Sequence, residues 1–73
     1  MKFQVGDLLM TKAYISIITK DDREEESNKN KIFFIIKKCE DDNEGYVYDL
    51  ISQETGSISE WTYANICHCF KKA

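Results

Sequence analysis

Cys67, His68 and Cys69 occupy three consecutive positions near the end of the chain, and Cys39 supplies a further thiol. Thiolates and a neutral imidazole are the ligands of structural zinc, but such sites begin from cysteines two to four residues apart in a tight knuckle. Here the segment from Ile66 to Phe70 reads as a short strand, in which successive side chains point to opposite faces. Cys67 and Cys69 then share one face and His68 takes the other, so the three do not close on one ion. The three cysteines are an odd number, and the opening MKFQVGDLLM interrupts its apolar run with Gly6 and Asp7, where a secretory signal needs continuity. Reduced thiols without metal are expected, since disulfides are rare in reducing compartments.

The carboxylates are the other chemistry-bearing set. The run from Glu40 to Gly45 suggests calcium, but an EF-hand loop needs a bidentate glutamate at its twelfth position, and counting from Glu40 that position is Ile51. The second acidic run, Asp21 to Glu26, is separated from the first by one strand and falls at the other end of the fold, so the two read as solvated loops. His68 has no nucleophile partner beyond neighbours that point away from it, and carboxylates in loops keep ordinary pKa values. No catalytic residue, metal or cofactor is assigned, and the chain is read as not an enzyme.

The elements that position these residues are short. Strands are predicted at Asp7 to Lys12, Tyr14 to Lys20, Lys31 to Lys38, Gly45 to Ile51 and Ser57 to Trp61, with the last at Ile66 to Phe70. Tyr14-Ile15-Ser16-Ile17-Ile18-Thr19 and Lys31-Ile32-Phe33-Phe34-Ile35-Ile36 are dense in β-branched and aromatic residues, which fit a pleated surface. Asp21 to Asn30 contains no apolar residue and reads as a long mobile loop or a protruding hairpin tip. Turns are expected at Glu40 to Gly45 and Ser52 to Gly56, and Thr62 to Asn65 is expected to form one tight 3-10 turn. Five to six short strands without a long helical period predict one domain over residues 1–73, a small all-β barrel or sandwich.

Composition narrows the class. Hydrophobic residues make up 42% and charged residues 32%, with one Trp, four Tyr and four Phe, which is enough to fold and unlike a disordered chain. The longest apolar run, Ile32 to Ile36, is far short of the ~20 residues that span a bilayer, so no membrane segment is predicted. A formal charge of −3, with Lys37-Lys38 and Lys71-Lys72 as basic doublets, lacks the footprint of a dedicated nucleic-acid binder.

Val5-Gly6-Asp7-Leu8-Leu9 at the start, an apolar hairpin in the middle, Tyr46-Val47-Tyr48-Asp49-Leu50, a glycine turn, then Glu60-Trp61 followed by Tyr63-Ala64-Asn65-Ile66 form a recognisable order. It resembles small SH3-like or Tudor-like β-barrels, particularly the short ones encoded by bacteriophages. The resemblance implies an SH3-like barrel of antiparallel strands. Leu50 stands where that pattern often has tryptophan, and the Asp21 to Asn30 loop is longer than in many members.

The aromatic set exceeds what so small an interior encloses, because both faces of the strand from Lys31 to Lys38 are already apolar. In such barrels exposed aromatics near the closing strands form grooves or cages for proline-rich or methylated-lysine peptides. Trp61, Tyr46 and Tyr48 read as the plug of the interior, and Trp61 also as a groove residue. Tyr14 and Tyr63 are the better contact candidates. The expectation is a non-catalytic protein-binding module or minor structural protein, with a protein partner, self-association into a homo-oligomer, and a cytoplasmic place in the cell or infected host, including association with a virion. The alternatives are a nucleic-acid-binding small barrel, or an acidic nucleic-acid mimic acting on a host enzyme.

Overall fold

The computed structural model describes residues 3–43 and 45–73 of the chain, so Glu44, in the turn expected from Glu40 to Gly45, lies outside the described residues. Its elements are β1 (Leu8–Thr11), β2 (Ile15–Ile18), β3 (Glu24–Ser27), β4 (Ile32–Asp41), β5 (Gly45–Ser52), β6 (Ile58–Thr62), α1 (Tyr63–Cys69) and β7 (Phe70–Lys72). The fold is mostly β with one short helix. Five strands form an antiparallel sheet in the order β6-β5-β4-β1-β7, and β2 and β3 form a separate hairpin. The two meet at the Thr19–Ser59 bridge, beside which the Lys20 N–H donates to the Ile58 carbonyl at 2.8 Å. The sheets do not close into a barrel.

Alternation decides which side of this sheet becomes the interior. Leu9, Phe33, Ile35, Tyr48, Leu50 and Trp61 leave the large sheet on one side and join Phe3, Ile17, Ile66 and Phe70 in a single core. Rings hold its centre, with Phe70 lying edge-on to Phe33 at 5.1 Å and to Trp61 at 5.0 Å. A register shift between Ile35 and Lys37 places Ile36 in a bulge, which lets β4 continue past the core with its alternation reset.

The chain from Thr62 onward corrects two expectations. Thr62 to Asn65 is not an isolated 3-10 turn and Ile66 to Phe70 is not a strand; Tyr63–Cys69 is an α-helix, and the last strand is Phe70–Lys72. Thr62 caps the helix by accepting the Asn65 N–H on its side chain at 3.2 Å, which satisfies one of the donors every helix start leaves open. Tyr63, Ile66, Cys67 and Phe70 then recur at i, i+3, i+4 and i+7, and that stripe meets the core.

The segment Asp21 to Asn30 is likewise corrected. It holds β3, paired with β2 from Ile18↔Glu24 to Ile15↔Ser27, which raises the strand count to seven among the described residues. Polar bonds anchor it where apolar contacts are lacking. Glu25 accepts from the hydroxyls of Thr55 and Ser57, and Arg23 reaches Glu25 at 3.3 Å. The fully buried Thr11 donates to the Asn28 carbonyl at 2.6 Å and accepts the Lys31 N–H at 2.8 Å, which pins the return of the chain into β4.

The first turn is closed in the same way. The Asp7 N–H donates to the Gln4 carbonyl at 3.0 Å, with Gly6 at φ 95°, a value a side chain would oppose. The Asp7 carboxylate accepts the Gln4 N–H at 2.9 Å and pairs with Lys72 at 3.2 Å, tying this turn to β7. The Gln4 N–H and Lys72 hold the Asp7 carboxyl below its ordinary 3.8, and the Thr19 hydroxyl and Arg23 do the same for Asp21.

Two measurements follow from this packing. Trp61 is 9% exposed and Tyr46 41%, so Trp61→Ala should destabilise by about 3 to 5 kcal/mol in urea unfolding, while Tyr46→Ala should cost less than about 1 kcal/mol. Equal losses would show that Trp61 is not part of the core's support. A carboxyl whose pKa is lowered on folding adds stability above its ordinary value that is lost as pH falls through the folded value. The urea midpoint should therefore fall between about pH 5 and about pH 3, and less steeply in Asp7→Asn/Asp21→Asn.

Candidate functional site

The side of the large sheet that faces away from the core carries an apolar patch. Leu8 is opposite Phe34, Phe34 opposite Ile51, and Ile51 opposite Ile58, so four strands contribute one continuous cross-strand row. One step along the strands, Met10 is opposite Ile32 and extends the patch. None of these six belongs to the core or to the half-buried apolar residues packed against it. Leu8 is 44% exposed and Ile36, in the bulge, 42%. Phe34 and Ile51, at the centre of the row, are half-buried, and adjacent side chains on a sheet face shield one another.

In the other strand direction the same face turns charged. Lys37 is opposite Asp49, and Asp49 opposite Glu60. Lys20 reaches over from the end of the hairpin and bonds Asp49 at 3.0 Å, and that bond raises the Lys20 pKa above its ordinary value. A shallow groove of about 190 Å³ runs here, lined by Lys20, Lys37, Glu40, Asp41, Asp49 and Glu60 with Cys39 and Val47. Two ammonium groups against four carboxylates leave it acidic. The face thus joins an apolar field to a charged groove.

The residues singled out from sequence fall into three different environments. Tyr14 is 57% exposed at the start of the hairpin, where a hydrogen bond to Glu26 pushes its phenol pKa up. Tyr63 is half-buried in the first turn of α1, its ring 5.3 Å from Phe3, and its hydrogen bond with Cys67 raises its pKa. Trp61 is in the core, and its indole N–H donates to the Ser59 hydroxyl at 2.7 Å. Tyr48 is buried, but Tyr46, read as part of the plug, lies exposed beyond the core with the Lys38 ammonium 4.4 Å from its ring centre.

Cys67, His68 and Cys69 are on the helix, not on a strand, so they fan out by about 100° per residue. Cys67 and Cys69 lean on the core and His68 is exposed. Burial raises the Cys69 thiol pKa. Among the described residues no three His, Cys, Asp or Glu side chains come together as metal ligands.

The apolar row was not among the residues singled out from sequence. Its signal is broken alternation on three adjacent strands, Leu8-Leu9-Met10, Ile32 to Ile36 and Leu50-Ile51. An antiparallel strand with one face in water alternates apolar and polar, and these do not. Set against known protein families, curated proteins and solved structures, the chain matches none.

Proposed function

We propose that the chain is a non-catalytic protein-binding module or minor structural protein of SH3-like type, and that it docks through the outer face of its five-stranded sheet. The observation that carries this is the row Leu8, Phe34, Ile51 and Ile58, which crosses four strands and belongs neither to the core nor to the apolar residues packed against it. The SH3-like reading is supported by the order of elements, an opening strand after Val5-Gly6-Asp7, an inserted hairpin, two long paired strands, and Trp61 leading into a short helix and a closing strand. The Thr19–Ser59 bridge supports it further, since there the hairpin begins to join the sheet edge.

In this reading apolar burial provides the affinity, at roughly 25 cal/mol per Å² removed from water. The acidic groove beside the row favours partners that carry cationic side chains next to an apolar patch and speeds their encounter. Tyr14 is a secondary contact on the exposed hairpin, and Tyr63, half-buried in the first turn of α1, is a further one.

The reading is tested by retention from an extract of the cells in which the protein is made. Tagged wild type should hold specific proteins that Ile58→Lys and Leu8→Lys lose, while both variants keep wild-type melting. Retention should survive raised salt. Retained nucleic acid that is released as salt rises would replace this reading with the nucleic-acid one, and proteins held equally by the variants would move the docking surface elsewhere.

A further inference from the structure

The pattern of charge around the apolar row identifies its occupant. β4 is the middle strand of five, and Phe34 is the residue of the row that it carries. Glu60 lies on the edge strand β6, one alternation step from the row on the side of Lys37 and Asp49. Lys71 lies on the opposite edge strand β7, across from Met10 and Ile32, one step from the row on the other side. The two opposite charges thus occupy diagonal corners of the face, with Phe34 midway between them. Neither forms an ion pair among the described residues.

We infer that a second copy of this chain covers the face, related by a two-fold axis lying in the plane between the sheets and passing beside Phe34. This rests on the reading of the outer face as a docking surface. A face with opposite charges at diagonal corners is complementary to itself: one rotation brings Glu60 of each copy onto Lys71 of the other, and Phe34 onto Phe34. Self-complementarity of this kind is what an isologous dimer requires. A standard interface buries about 800 Å² per partner, about one sixth of the chain's 4694 Å².

Sedimentation of the whole chain from sub-micromolar to several hundred micromolar should show the mass rising from 8.6 kDa to twice that value. Phe34→Lys should weaken association by at least about 30-fold, as removal of a central aromatic anchor does. Leu8→Lys, at a more exposed position, gives the same test with less risk to folding, and the melt of each variant is recorded. Glu60→Lys and Lys71→Glu should each weaken the dimer a few-fold, because each change strikes both symmetry-related pairs, and the double exchange should restore it. A double variant no tighter than the singles overturns the two-fold arrangement. A dimer indifferent to both Phe34→Lys and Leu8→Lys overturns the inference, since the copies would then meet elsewhere. A wild type monomeric at every concentration that still loses extract proteins through Ile58→Lys also overturns it, and in that case the docking reading stands with a different protein as occupant.

Discussion

A five-stranded sheet has two faces, and this chain has only enough polypeptide outside the sheet to cover one of them. The cover consists of a short hairpin, a helix of seven residues and the segment around Phe3. Its Phe3, Ile17 and Ile66 pack on the side where Leu9, Phe33, Ile35, Leu50 and Trp61 emerge. Small domains bury a modest fraction of their surface, so a sheet with apolar side chains on both faces cannot satisfy both within one chain of this length. The position of every other element follows from which face is served first.

The covering elements are too short to be held by apolar contact alone, and buried or half-buried polar groups supplement it. Ile17 is buried in the core and Ile15 packs against it; the polar part of the hairpin's attachment runs through Thr11, the Glu25–Ser57 bond and the Thr19–Ser59 bridge. Each of these bonds joins groups that would be costly to bury unpartnered, so the hairpin has one register and one place. The helix works from the opposite principle. It contributes Ile66 to the core and needs only Thr62 as its cap, because Phe70 follows at once and returns the chain to the sheet beside β1.

The face away from the core sets the apolar row beside a shallow, acidic groove that is already partly neutralised by Lys20. The aromatic residues are distributed by the same competition. Trp61 and Tyr48 were drawn inward, while Tyr46, on the same side of β5 as Tyr48, projects beyond the end of the core and has Lys38 over its ring.

Local composition alone determined much of this protein. β-branched and aromatic density placed β2, β4, β5 and β6, the cluster Ser52 to Gly56 placed the turn before β6, and the absence of a long helical period made the class mostly β, because these signals act within a few residues. What the sequence could not settle was decided by contacts across the fold. Thr62 to Cys69 can be read as a turn and a strand or as a helix, and it is a helix because the stripe Tyr63, Ile66, Cys67 and Phe70 finds the core only at helical spacing. Glu24–Ser27 has no apolar pattern and becomes a strand because Thr55, Ser57 and β2 supply its hydrogen bonds. The candidate site shows the same division. Broken alternation in Ile32 to Ile36 marked two apolar faces, but only the tertiary register aligned Leu8, Phe34, Ile51 and Ile58 into one row and set Glu60 and Lys71 at its opposite corners. Strand pairing joins residues far apart in sequence, and no local pattern encodes which of them become neighbours.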